Sequence, residues 1–219
     1  QEAELSLRKA IELNPNFAEA YYNLSLIELL KGDYKYGFEH YEFRFKREKP
    51  LSVNGNPTIR KIDSLDLLKG EKLLVVSEQG LGDSLQYMRY IPYLRSQGLD
   101  VLFSAQEKLH SLIKSSGIDC NPLSPAQTNT VSAGKWIPLL SIPRHLQINP
   151  KNPIIHEPYI FSTNELKQKW KKILSKEQGM IIGINWQGNP KIEKSYQKRS
   201  IPLETFSILY EQNDFKMLS

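Results

Sequence analysis

Apolar residues recur along this chain at two different periods. Up to about residue 48 the spacing is helical. Ala3, Leu7, Ala10 and Ile11 share one face, and Asn14-Pro15-Asn16 ends that helix. A second helix is expected from Ala18 to Leu30, stopped by Lys31-Gly32-Asp33, and a third from Tyr34 to Arg47. Residues 49–70, with Pro50, Asn54-Gly55-Asn56-Pro57 and Gly70, read as a linker. From Glu71 onward, short apolar runs alternate with helices. Strands 73–76 and 100–104 lead to helices 83–96 and 106–115, and residues 118–133 read as a loop. A strand at 136–140 runs toward a short helix near 143–146, and Pro150, Pro153 and Pro158 mark an irregular connection. Helix 163–175, strand 180–186, loop 187–201, helix 202–212 and a strand opening at Phe215 complete the pattern. Repeated strand–helix alternation predicts an α/β fold, a parallel sheet with helices on both faces.

The stretch LLVVSEQGLGDSLQYMR, Leu73–Arg89, carries the first candidate chemistry. Leu73-Leu74-Val75-Val76 suits a strand covered on both faces. Gly80 and Gly82 permit a sharp turn and close approach of a ligand. Leu85, Met88, Ile91 and Pro92 are expected on the inner face of the helix that follows. Asp83 falls at that helix's start, beyond the carboxyl end of the first strand, where open α/β sheets hold ligands. The loop is not a dinucleotide fingerprint, because Leu85 stands at the third glycine position, and no Gly-Lys-Ser/Thr makes it a P-loop. Two readings of Asp83 stay open: an acid favoured by the helix start, or a general base. Glu78 and Gln79 either orient a ligand or satisfy the loop backbone.

A second constellation follows the strand at 180–186. It comprises Trp186-Gln187-Gly188-Asn189-Pro190 and then Lys198-Arg199-Ser200-Ile201-Pro202. Two cations ahead of a proline-opened helix suit a diphosphate; the same residues also make an ordinary surface turn. Lys167–Lys172, KQKWKK, offers a basic helix with one tryptophan, but Trp170 packed inward over solvated lysines is the simpler reading. No nucleic-acid partner is therefore expected. His40, His110, His145 and His156 stand at no metal-ligand spacing.

Composition narrows the class only a little. Hydrophobic residues make up 40% and charged residues 24% of 219, an ordinary globular balance. No apolar run approaches the roughly 20 residues of a membrane span, and the opening QEAELSLRKA has no signal-peptide core. The single cysteine, Cys120, excludes an internal disulfide and a cysteine metal cluster. These features point to the cytoplasm. Of the net charge of +5, residues 161–219 carry +4, compatible with an anionic ligand near that end or with a solvated lysine face. The first residue is Gln, inside a helical pattern, and the last residues open a strand, so a fragment of a longer protein is expected.

Ala20, Tyr21, Leu24, Ser25, Gly32, Tyr34, Gly37 and Tyr41 stand at the signature spacings of a tetratricopeptide repeat. Residues 1–48 thus resemble one and a half repeats, with further repeats expected upstream and a protein partner plausible through these helices. SEQGLGDSLQYMRYIPYL, joined to the upstream repeat through YGFEHYEFRFKRE, is similar to repeat proteins fused to a glycosyltransferase domain. GINWQGNP and KRSIPLE resemble the start of that domain's second half. The family is glycosyltransferase family 9, the heptosyltransferase-like enzymes of the GT-B fold. The resemblance implies tetratricopeptide helices at 1–48, a linker at 49–70, a Rossmann-like first half at 71–161 and the truncated start of a second half at 162–219. It implies a nucleotide-sugar donor, a protein or glycan hydroxyl acceptor, and no metal or other cofactor. It places the general base on Asp83 and the acceptor-side loop on Gly80, Gly82 and Gln86. It places donor contacts on Trp186, Gln187, Gly188, Asn189, Lys198 and Arg199. With most of the second half missing, little or no transferase activity is expected of these 219 residues alone. The alternative is a tetratricopeptide binding module carrying a degenerate, non-catalytic α/β domain.

Overall fold

The computed structural model describes residues 1–62, 64–65, 69–78, 80–154, 157–177, 179–186, 200–207 and 215–218. The chain divides into two compact units, Gln1–Ser162 and Thr163–Ser219.

The first unit opens with three helices, α1 (Glu2–Leu13), α2 (Ala18–Leu30) and α3 (Tyr34–Tyr41). α2 is the middle layer, burying Ala18, Ala20, Leu24, Ser25 and Glu28. Gly37 lets α3 lie directly on it: a Cβ there would stand 2.8 Å from the Leu29 side chain and 3.1 Å from its backbone nitrogen. Asp33 caps α3, its carboxylate accepting from the Tyr36 N–H. Glu28 ties the three helices together, accepting from Arg8 of α1 at 3.3 Å and meeting His40 of α3 at 2.7 Å. The third helix is shorter than the sequence predicts. After Tyr41 it tightens into a 3-10 turn, Glu42–Phe45, that turns Arg44 toward the sheet.

Four strands form a parallel sheet in the order β1-β4-β2-β3. These are β1 (Arg60–Lys61), β2 (Lys72–Val76), β3 (Asp100–Ser104) and β4 (Lys135–Pro138). β1 comes from residues expected to be a linker; Arg60 and Lys61 pair with Lys135 and Trp136 at the sheet edge. Leu73, Leu74, Val75 and Val76 are all fully buried. Successive strand residues point to opposite faces, so both faces of β2 are covered. One hydrophobic core joins Phe38 of α3 to Leu73, Val75, Ile91, Phe103, Ile137 and Ile142.

The helix expected over 83–96 is two helices, α4 (Leu81–Tyr87) and α5 (Tyr90–Ser96). The break has a chemical cause. Pro92 has no N–H to give the Met88 carbonyl, which accepts from Ile91 instead at 3.0 Å. Pro92 then sits in the first turn of α5, where a missing N–H leaves nothing unpaired. It is exposed, whereas Met88 and Ile91 are buried as expected. The helix expected at 106–115 begins as a 3-10 turn and becomes α6 (His110–Ser115). Within the stretch read as loop, Leu123 pairs with the end of β3 and Pro125–Thr130 forms a 3-10 turn. α7 (Ile142–His145) closes the sheet region.

The second unit holds α8 (Asn164–Leu174) and a parallel pair, β5 (Met180–Gly183) and β6 (Phe215–Leu218). Thr163 caps α8 by accepting from the Leu166 N–H. Trp170, expected to pack inward, is 52% exposed and α8 buries no residue. The strand expected to reach Trp186 ends at Gly183, and Leu203–Phe206 begins the expected helix as a 3-10 turn.

Candidate functional site

The strand order creates a switch point. β2 passes through α4 and α5 to its neighbour β3, and the chain then returns to lay β4 on the other side of β2. The loops beyond β2 and β4 therefore diverge, leaving the crevice in which open α/β sheets take ligands. Here the crevice is filled by Arg44. Its Nε donates to Glu78 Oε2 at 2.8 Å and its Nη2 to Glu78 Oε1 at 2.9 Å. Nη2 also donates to Ser141 Oγ at 2.9 Å, and Nη1 to Glu42 Oε1 at 2.7 Å and the Tyr41 carbonyl at 3.1 Å. Its guanidinium carbon lies 4.5 Å from the Tyr41 ring centre and 4.1 Å from that of Phe45. Arg44 is fully buried and Glu78 is 3% exposed. Glu78 Oε1 also accepts from the Leu140 N–H, so both its oxygens are used and the residue is a clamp, not a ligand group.

This clamp fixes the start of the glycine loop from one side. Asn54 reinforces it, its N–H donating to the Ser77 carbonyl at 2.8 Å and its side-chain amide to the Glu78 carbonyl. Gln106 holds the loop from the other side. Its Nε2 donates to the Glu78 carbonyl at 2.8 Å, and its Oε1 accepts from the buried Ser84 hydroxyl at 2.8 Å.

Asp83 is the third residue of α4 and is exposed. Its carboxylate folds back over Gly80; a Cβ on Gly80 would stand 2.2 Å from Asp83 Oδ2. Gly80 thus makes room for the Asp83 side chain, on extended backbone with φ −83° and ψ 132°. Gly82 lies inside the first turn of α4, with open space where a Cβ would be. Two tyrosines feel the Asp83 charge. Burial, with Asp83 second, pushes the Tyr87 phenol up to about 12. Burial also pushes Tyr41 up, against the pull of Arg44 and with a push from Glu78 and Asp83. Both stay protonated donors at neutral pH. Glu42 moves the other way: burial would raise its carboxyl, but the charge and hydrogen bonds of Arg44, with the Ser141 hydroxyl, hold it below the usual carboxylate range.

Gln86 and Tyr87 lie one helical turn beyond Asp83 and line a cavity of about 340 Å³ between α3 and the α4–α5 junction. Gly80, Gly82, Asp83 and Gln86 therefore share one loop and helix. Trp186 is half-buried in the second unit, its carbonyl accepting from the Ile201 N–H at 3.0 Å. Gln187, Gly188, Asn189, Lys198 and Arg199 lie outside the described residues. Among the described residues no cluster of three or more His, Cys, Asp or Glu could hold a metal ion. No described helix is long and apolar enough to cross a membrane.

Sequence reasoning passed over Arg44, Asn54 and Gln106. The one local signal for Arg44 was its place between Tyr41 and Phe45, whose rings flank its guanidinium.

A tetratricopeptide-repeat family model matches residues 6–36, from within α1 to the first turn of α3. No curated protein and no solved structure matches the chain.

Proposed function

We propose that this chain carries the acceptor side of a sugar transferase, as its resemblance to glycosyltransferase family 9 implies. The observation that carries the reading is Asp83, an exposed carboxylate in the first turn of α4, directly after a loop latched from both sides at the carboxyl end of β2. In the step proposed, Asp83 takes the proton of an acceptor hydroxyl as its oxygen attacks the anomeric carbon of a nucleotide sugar. The bond from that carbon to the diphosphate breaks, and the diphosphate leaves with the electron pair. Positioned general bases of this kind contribute about 10²–10⁴ in rate. Trp186, Gln187, Gly188, Asn189, Lys198 and Arg199 are assigned to the donor, the two cations offsetting charge on the departing diphosphate. The acceptor is a protein or glycan hydroxyl, and the step calls for no metal.

The tetratricopeptide match favours a second reading, a protein-binding module whose α/β part is not catalytic. A panel of nucleotide sugars separates the two. The transferase reading expects the full-length protein to release nucleoside diphosphate from one donor when a hydroxyl acceptor is supplied, and to be thermally stabilised by that donor. Release from none, with no stabilisation by any, contradicts it and leaves the binding module.

A further inference from the structure

The cavity beside Gln86 and Tyr87 continues into a second one of about 380 Å³, and the two share Tyr34, Phe38, Ile148 and Asn149 as a common wall. The two-lobed groove lies within the first unit. Helix α3 of the repeat makes one side of it. Helices α4 and α5 and the turn that follows α7 make the other, so the repeat alone does not carry it.

The groove suits apolar side chains. Phe38, Tyr90 and Ile148 are nearly covered and form its floor, while Leu29, Tyr34 and Pro153 are half-buried and Pro150 is exposed. The Asn149 side chain is already committed to its own turn. Its amide donates to the Gln147 carbonyl at 3.2 Å, and its oxygen accepts from the N–H groups of Lys151 and Asn152 at 3.0 Å. Apolar surface also continues past the lining. Leu30, next after the lining residue Leu29, is 88% exposed, and Leu26, one turn earlier on α2, is 45% exposed. Exposed leucines beside a groove belong to a protein interface more than to a small-molecule pocket.

The elements around the groove also select the occupant's backbone. No lining element is a strand, and in the turn Asn149 and Asn152 already exchange backbone hydrogen bonds with each other. An extended peptide would find no edge to pair with. A helix satisfies its own N–H and C=O groups and offers only side chains, with anchors three or four residues apart on one face.

Charge selects the partner further. In the far lobe Arg144 is answered by Glu39 at 3.0 Å, whereas Lys35, also in that lobe, is exposed and faces only the Tyr36 ring, 5.7 Å from its centre. In the near lobe Arg89 donates to the Gln86 carbonyl at 2.8 Å and to the Tyr159 hydroxyl at 3.1 Å. Tyr159 donates in turn to the Leu85 carbonyl at 2.6 Å, which holds the guanidinium in place before anything docks. Among the described residues no carboxylate lies within ion-pairing distance of Arg89 or Lys35. Two unanswered cations, one in each lobe, complement an acidic partner.

We propose that this groove docks an acidic amphipathic helix of a partner protein, with one large apolar side chain in each lobe and carboxylates on Arg89 and Lys35. The inference rests on the protein-binding reading of the repeat and needs no sugar transfer.

The test selects binders of the whole protein from a display library of short helical peptides and then measures the enriched peptide by fluorescence anisotropy. The enriched sequences are expected to share two large apolar residues three or four positions apart, flanked by Asp or Glu. Arg89→Met, which removes the charge and keeps an unbranched stem, is expected to weaken the enriched peptide by about tenfold or more. Lys35→Ala, at an exposed helix position, is expected to weaken it severalfold and provides a readout should Arg89→Met fail to fold. Enrichment of basic or proline-broken sequences, or no enrichment, overturns the proposal. So does self-association of the protein that Arg89→Met abolishes, which would give the groove to a second copy. A peptide whose binding ignores both substitutions also overturns the groove, while leaving the repeat a protein-binding module.

Discussion

Arg44 has exchanged water for protein on every side: two carboxylates, a hydroxyl, a carbonyl and two aromatic rings surround its guanidinium. A buried ion pair of this kind is weak support for stability while intact, yet removing one partner strands the other as a buried charge. Arg44→Met is therefore expected to destabilise the first unit by about 3–5 kcal/mol in urea titrations. Adding Glu78→Gln should recover part of that loss. Glu42 gives the clamp a pH signature. A carboxyl held below its ordinary value contributes stability that is present above the unfolded value, about 4.3, and lost as pH falls through the folded one. Unfolding midpoints should thus drop as pH falls below about 4, and less steeply in Glu42→Gln. Gly80 tests the site rather than the fold. A Cβ there meets only the far end of the Asp83 side chain, which can swing away. Gly80→Ala is expected to shift stability by less than about 0.5 kcal/mol, while moving the carboxylate and lowering any transfer rate. A stability loss of several kcal/mol would mean that Gly80 is needed by the backbone instead.

At the scale of elements, what a window of neighbours decides was legible. The second helix was expected over Ala18–Leu30 and a strand over 100–104, and both hold those bounds, because apolar period and glycine stops are local. The split between α4 and α5 was also written locally, in Pro92, but its apolar neighbours made a continuous helix look adequate. Pro92→Ala should be within about 0.5 kcal/mol of wild type in thermal or urea unfolding, since the residue is exposed in a first turn. Strand β1 was not legible. Two residues, Arg60 and Lys61, carry no apolar signal of their own and become a strand only because β4 offers an edge. The same holds for the clamp. Arg44 and Glu78 are 34 positions apart, and Arg44 and Ser141 are 97 apart, so nothing near any one of them announces the others. Of the candidate site, Gly80, Asp83 and Gln86 were visible because they sit on one short stretch; the groove wall contributed by α3 was not.

Across the whole first unit, the repeat helices and the sheet share a core, with Phe38 of α3 packed among residues of β2, β3 and β4. Arg44 carries that union to the switch point, so the helical segment both blocks the usual crevice and anchors the loop beside it. The open space is displaced from that crevice. Open space lies past Gly82 and along Gln86 and Tyr87, toward α3, where Asp83 is exposed. Asp83 is proposed to serve there as the base, and the turnover number for sugar transfer in full-length Asp83→Asn against the full-length wild type decides it, with the donor identified from the panel and held at saturation. Loss of a general base lowers turnover by about 10²–10⁴ with unfolding midpoints unchanged. Transfer by Asp83→Asn at the wild-type rate would remove Asp83 from catalysis.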